Sequence, residues 1–420
     1  MYRLVAGVLQ ASERMERILT HRGGDMVPVL TILVYGLFLL AILVGGKVAG
    51  KGQFFADGTG REATGPLRGI AAIGVVLHHI SQNEHFQSSG EIRLFVNAGF
   101  LFVAIFMFLS GYGLIKSLDS KPDYMDGFLK RRLPVIVVPY YVSVLFFLIF
   151  ALVSRTHYEP AEWVTNLLGL TMMNKYAWFP IVLTILYVCF YLVFRREKSR
   201  DASLVKMLFA VLGLVLLYAA VRYMDWWLKF HYPGTWWNEP MVRWFAGEWW
   251  VNSSIGFWVG IFVASKEEAI RAFFRKGYLL KLFVSLLLVF LLSGLSFRLK
   301  ILLGYWNETV VQGPGIGTTF LCVLAQFPHV TFFVFSIYLL LLKVKTSNPV
   351  TRFMGRISLE SYMMNYPAIL ITSDHLLKAA DPETAKFRAL YMVLVILLTL
   401  LLALVYRAVN QGLLRRLSGR

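Results

Sequence analysis

The stretch Pro66-Leu67-Arg68-Gly69-Ile70-Ala71-Ala72-Ile73-Gly74-Val75-Val76-Leu77-His78-His79-Ile80-Ser81-Gln82 reads as a membrane helix that carries polar groups. Pro66 suits a first helical turn, and the apolar run behind it approaches the length that crosses about 30 Å of hydrocarbon. Eleven helical steps of about 100° return to within about 20°, so Arg68 and His79 share one face about 16.5 Å apart, while His78 points about 80° away. Taken singly, Arg68 reads as a snorkelling cation and His79 as a hydrogen-bonded buried histidine. Together on one face, deep in an apolar helix, they read as a functional pair.

Ten further apolar runs lie outward from this one, near Met26 to Gly46, Arg93 to Lys116, Leu133 to Ser154, Ala177 to Phe194, Leu204 to Tyr223, Trp249 to Ala264, Tyr278 to Phe297, Thr319 to Leu342, Phe353 to Ser373 and Ala389 to Tyr406. Continuous apolarity without a period of two predicts helices, not a barrel. Composition agrees. Of 420 residues 57 % are hydrophobic and 16 % charged, with mean hydropathy +0.62, against about 45–50 % and about 25 % in a soluble domain. A soluble enzyme, a disordered chain and a collagenous chain are excluded. Two cysteines, Cys189 and Cys322, sit inside apolar runs and make no disulfide framework. The expected fold is all-α, a polytopic membrane bundle of ten core helices plus one N-terminal helix. The expected organisation is an N-terminal helix region over 1–50 and one membrane domain over 51–420.

The net charge of +18 suggests nucleic acid until the charges are located. The connections Lys47–Arg68, Lys116–Arg132, Arg195–Lys206, Lys266–Lys281, Lys343–Arg356 and Arg407–Arg420 hold 27 of the 42 basic residues. The loops between them are poor: Glu84–Ile92 has none and Arg155–Lys175 two. The positive-inside rule puts the basic set and the C-terminus in the cytoplasm, so the charge expresses topology and no nucleic-acid partner is expected. Met1 to Asp25 carries Arg3, Arg14, Arg17 and Arg22 among Val5, Val8, Leu9, Met15, Ile18 and Leu19, a pattern that suits an amphipathic surface helix. Its side of the membrane stays open.

The segment Leu67 to His79 also resembles the signature of the membrane-bound acyltransferase-3 family, with Arg68, ten intervening residues and His79. Further pieces follow in the family's order. They are Phe106-Met107-Phe108-Leu109-Ser110-Gly111-Tyr112, then Lys130-Arg131-Arg132-Leu133-Pro134 with Pro139-Tyr140, then Trp178-Phe179 with Tyr187, and Gly355-Arg356-Ile357-Ser358-Leu359-Glu360-Ser361-Tyr362. The resemblance spans Pro66 to about Tyr406. One departure is Asn365, where many members have His.

The resemblance implies transfer of an acyl group, with acetyl expected, from cytoplasmic acetyl-CoA to a hydroxyl of an extracytoplasmic glycan, cell-wall polysaccharide or glycolipid, in the inner membrane of a bacterial cell. Arginine offers a planar fork for phosphate, so Arg68, Arg131 and Arg132 are the expected CoA-docking residues; positive-inside topology explains the last two equally well. His79, with an ordinary pKa near 6.5, is the expected general base or transient acyl carrier. Glu360, placed five to eight residues into its helix, either orients His79 or an arginine or makes a structural pair. Trp178, Ser110 and Tyr112 fall at the positions expected to meet substrate, although Ser110 also suits a helix-packing role. A thioester donor requires neither metal nor redox cofactor.

Seven of the eleven tryptophans, Trp226, Trp227, Trp236, Trp237, Trp244, Trp249 and Trp250, crowd one outer loop with Asp225, His231, Asn238, Glu239 and Glu248. They read as an interfacial belt or as a stacking surface for a sugar. Asn307-Glu308-Thr309 matches a glycosylation triplet. The rival function is a proton-coupled transporter or lipid-linked-sugar flippase, whose sign would be inverted repeats and broken helices in matching halves; the chain shows no such symmetry. A sensor that has lost catalysis is a third reading, which the intact Arg68 and His79 oppose.

Overall fold

The computed structural model describes residues 26–87, 90–154, 157–196, 198–232, 244–305, 312–377 and 384–417. The expected surface helix over 1–25, the tryptophans Trp236 and Trp237 with Asn238 and Glu239, and the triplet at Asn307 lie outside the described residues. Each apolar run lies on helix. In chain order these are α1 (Met26–Leu43), α2 (Arg61–Ser81), α3 (Gly99–Ser120), α4 (Pro134–Ser154), α5 (Trp178–Phe194), α6 (Arg200–His231), α7 (Ile255–Ser265), α8 (Tyr278–Leu302), α9 (Ile316–Leu324), α10 (Phe327–Lys343), α11 (Ser358–Ile371) and α12 (Ala385–Leu417). Among the described residues, six helical stretches are long and apolar enough to cross a membrane: α3, α4, α6, α8, α9 with α10, and α12. The chain is an all-α polytopic membrane protein. Lipid-facing positions stay apolar, as Leu279 (75 % exposed), Phe290 (76 %) and Leu302 (81 %) on α8 illustrate.

Several boundaries differ from the sequence reading. α2 begins at Arg61, so Pro66 lies inside the helix and not in its first turn. Only the Glu62 carbonyl, one turn from the helix end, loses its partner to the missing N–H. α6 continues through Arg222, Asp225 and Lys229 to His231, because Lys229 bonds Asp225 one turn earlier at 3.0 Å and the polar residues support each other on the helix. Much of the expected tryptophan loop is therefore helix. The ninth run breaks at Ala325 and Gln326, just before Pro328. A two-residue antiparallel ladder, Lys47–Val48 with Val344–Lys345, escapes the all-α reading.

Two close crossings fix the bundle. A Cβ on Gly260 of α7 would lie 2.1 Å from the Phe108 carbonyl oxygen of α3, and one on Gly111 of α3 would lie 2.1 Å from that of Phe257. Gly256 and Gly260 thus form a small-residue seam that lets the backbones meet, which is how membrane helices gain van der Waals contact when both water and a hydrophobic drive are absent. Likewise Gly69 of α2 packs on the short helix Pro349–Arg356, where a Cβ would lie 2.0 Å from the Thr351 carbonyl oxygen. This second crossing sets the position of Arg68.

The six basic connections meet at one end of the bundle. Arg200 pairs with Asp119 at 2.6 Å, Lys266 with Asp201 at 2.5 Å and Lys116 with Glu267 at 3.0 Å. Arg271 donates to the Phe55 carbonyl at 2.8 Å, Lys345 pairs with Asp57, and Arg407 donates to the Arg356 carbonyl. α1 lies at the bundle edge with its last turn at this end, where Asn348 donates to the carbonyls of Ala41 (2.9 Å) and Val44 (3.1 Å). The opposite end is closed by the pair Arg388–Glu91, two parallel bonds of 2.7 Å with Glu91 fully buried, and by Glu248, which accepts from Lys300 (2.7 Å) and from Gln326 (3.0 Å) at the helix break.

Candidate active site

His79 occupies the last turn of α2 and is 6 % exposed. Its Nδ1 lies 2.9 Å from Asn365 Oδ1 of α11, and Asn365 Nδ2 donates to Thr399 Oγ1 of α12 at 3.1 Å. The amide oxygen faces His79, and Thr399 tethers the amide from its other side. An amide oxygen only accepts, so Nδ1 carries the proton and Nε2 keeps its lone pair. Asn365, the departure from the family pattern, is therefore the group that fixes the histidine tautomer. Tyr176 covers the imidazole, with ring centres 3.5 Å apart and planes 7° from parallel. Asn174 holds that loop in place by donating to the Met363 carbonyl (2.8 Å) and to Ser143 (3.0 Å) and accepting from the Tyr176 N–H (3.2 Å).

A cavity of about 810 Å³ opens at the basic end, within the usual range for small-molecule sites. Arg68, Arg132, Ser110 and Tyr112 all line it, as do Lys116, Lys121, Asp57 and Glu267. Four cations against two carboxylates leave an excess of positive charge. Arg132 is steadied by Tyr124, whose hydroxyl accepts from Nη2 at 2.7 Å and Nε at 3.2 Å. The Tyr112 hydroxyl lies 2.7 Å from Thr59 Oγ1 and 2.7 Å from Glu267 Oε2. Lys116 and Arg271 flank the same carboxylate at 3.0 and 3.5 Å. Burial pushes the Glu267 carboxyl up, but the Tyr112 hydroxyl and the two cations outweigh it and hold the group below its ordinary value.

The other expected residues lie elsewhere. Arg131 does not line the cavity: its guanidinium donates to the backbone carbonyls of Tyr124 (2.7 Å) and Asp126. Glu360 sits in the first turn of α11, not five to eight residues in, because the helix starts only at Ser358. Its charged neighbour is Arg407. Five helical steps separate it from Asn365, about 140° around the axis, so it lies off the face that meets His79. Trp178 is buried at 5 % exposure and packs edge-on against Phe179 and Tyr362, behind the cavity wall.

Two helices connect the cavity to the histidine. On α2, Arg68 lines the cavity and His79 lies eleven residues on. On α11, Leu359 lines the cavity, and Tyr362 and Asn365 follow at steps of three, each about 4.5 Å further along the axis. Sequence reasoning missed Tyr176, Tyr362 and Glu267 as site residues. A carboxylate in a basic loop and a tyrosine just before Trp178 were the available signals.

The chain matches the family model described as an acyltransferase domain, Acyl_transf_3, over residues 67–408. No curated protein and no solved structure matches it. The matched span begins one residue before Arg68 and takes in Arg68, His79, Arg132, Asn365 and Thr399, so the chain belongs to the acyltransferase-3 family.

Proposed function

We propose that this protein is an O-acyltransferase that moves an acetyl group from cytoplasmic acetyl-CoA to a hydroxyl of an extracytoplasmic glycan, cell-wall polysaccharide or glycolipid. One observation carries the reading: an imidazole with Nδ1 fixed by Asn365 stands on the same helix face as an arginine that lines a cationic cavity. Arg68 and Arg132 dock the CoA phosphates, which favour planar guanidinium forks. The pantetheine arm then runs along α2 towards His79. The basic end faces the cytoplasm, in keeping with the positive-inside rule, and the acceptor arrives from the other side.

In the direct route, Nε2 of His79 takes the proton of the acceptor hydroxyl as the oxygen attacks the thioester carbonyl. The C–S bond breaks and the thiolate leaves with that proton. In the two-step route Nε2 attacks the thioester, the C–S bond breaks and the thiolate leaves; the acceptor oxygen then displaces the imidazole from the acetyl group, its proton neutralises the thiolate, and the Nε2 lone pair is restored. Both use the same lone pair. Purified protein in nanodiscs, given radiolabelled acetyl-CoA and crude envelope glycan, should produce alkali-labile label on the glycan. Folded protein that neither binds CoA nor labels glycan sinks the reading and favours flux assays for a transporter.

A further inference from the structure

Tyr362 lies between the donor cavity and His79. Its ring centre is 5.6 Å from that of Phe179, which lines the cavity, and 6.0 Å from the His79 ring. It stands one step of three before Asn365 on α11 and one step of three after the cavity residue Leu359. The side chain is 5 % exposed, and its hydroxyl oxygen is inaccessible and has no hydrogen-bond partner among the described residues. A buried hydroxyl without a partner is costly to keep. The ring packing against Trp178, Phe179 and His79 would by itself be met by phenylalanine.

We infer that the Tyr362 hydroxyl is a hydrogen-bond donor to the thioester carbonyl oxygen of the acyl donor. This rests on the acyltransferase reading and adds a catalytic residue to it. A thioester threaded from the cavity to His79 passes Tyr362 immediately before it reaches the imidazole. As the acceptor oxygen attacks, negative charge builds on the carbonyl oxygen, and a fixed donor in a dry site stabilises it strongly. The balance is simple. The acceptor proton goes to His79 Nε2, the carbon–oxygen bond forms, the carbon–sulfur bond breaks, and the proton leaves with the thiolate. Tyr362 keeps its own proton throughout and is neither consumed nor oxidised.

The test is Tyr362→Phe beside wild type, measuring acetyl transfer, acetyl-CoA affinity and melting temperature. The inference expects kcat to fall by about 10²-fold, the cost of one oxyanion donor. KM for acetyl-CoA and CoA binding should stay within about two-fold, as expected for a contact made only in the transition state. The melting temperature should hold or rise, since no native hydrogen bond is lost. A purely structural hydroxyl would show the reverse, a lower melting temperature with turnover intact, and that result overturns the inference while leaving the acyltransferase reading in place. If the variant does not fold, fluorotyrosine at 362 keeps the ring and makes the hydroxyl more acidic; turnover indifferent to that change overturns the inference. A wild type that transfers no acyl group overturns the inference and the reading together.

Discussion

His79 and Asn365 are 286 positions apart in the chain, yet Nδ1 of one lies 2.9 Å from Oδ1 of the other. The bond decides which imidazole nitrogen can react. With Nδ1 committed as donor, Nε2 is the basic atom, and Thr399 tethers the far side of the amide. Asn365→Ala should release the ring and mix its tautomers. Acetyl transfer should fall by about 10²-fold, within what a positioned base contributes, while acetyl-CoA affinity stays unchanged. Steady-state kinetics with a CoA-binding assay check both halves.

The three expected docking arginines should separate. Arg68→Ala and Arg132→Ala each remove a cavity cation and should weaken CoA binding by about 10- to 100-fold, the worth of a charge-assisted hydrogen bond. The loss should shrink as salt rises. Arg131→Ala should change it little, because that guanidinium is occupied by backbone carbonyls off the cavity. Calorimetric titration with CoA at two ionic strengths distinguishes them.

The Arg388–Glu91 pair is a stability device. Glu91 is fully buried, so Arg388→Leu strands a carboxylate, and the loss should be about 3–5 kcal/mol. The double variant Glu91→Leu with Arg388→Leu should recover most of it, since replacing a whole buried pair by apolar groups is often close to neutral. Thermal unfolding in one detergent, compared across wild type and the two variants, measures the difference.

Acid should loosen the cavity floor. The Glu267 carboxyl is held below its ordinary 4.5, so the folded state binds this proton less readily than the unfolded chain. The stability it contributes is complete above about pH 5 and falls as pH drops through its folded value. Wild type should therefore lose melting temperature relative to Glu267→Gln on acidification below pH 4.5, the gap between the two narrowing. A gap that is constant from pH 6 to pH 3.5 would contradict the Tyr112–Glu267–Lys116 network.

The fold was legible because each apolar run is long and the basic connections alternate. Lipid imposes both features locally, run by run. Helix ends were not, since α6 and α12 extend on polar turns that hydropathy reads as loop. In the site, Arg68 and His79 could be paired because one helix period relates them. Asn365, Tyr176 and Glu267 could not, because tertiary packing alone brings them to their partners. The Asn365 departure, which weakens an acid–base role at that position, acquires a different meaning once its amide is found against His79. For Glu360 the two readings could not be separated for a related reason: the helix start at Ser358 places it in the first turn, beside Arg407 of a neighbouring helix.

The measurement that bears most directly on the account is thiol release from acetyl-CoA by purified protein with envelope glycan present, wild type beside His79→Ala, with CoA binding measured on the same samples. The account predicts release in wild type, a loss of at least about 10²-fold in His79→Ala, and equal CoA affinity in both. Undiminished release in folded His79→Ala would contradict it.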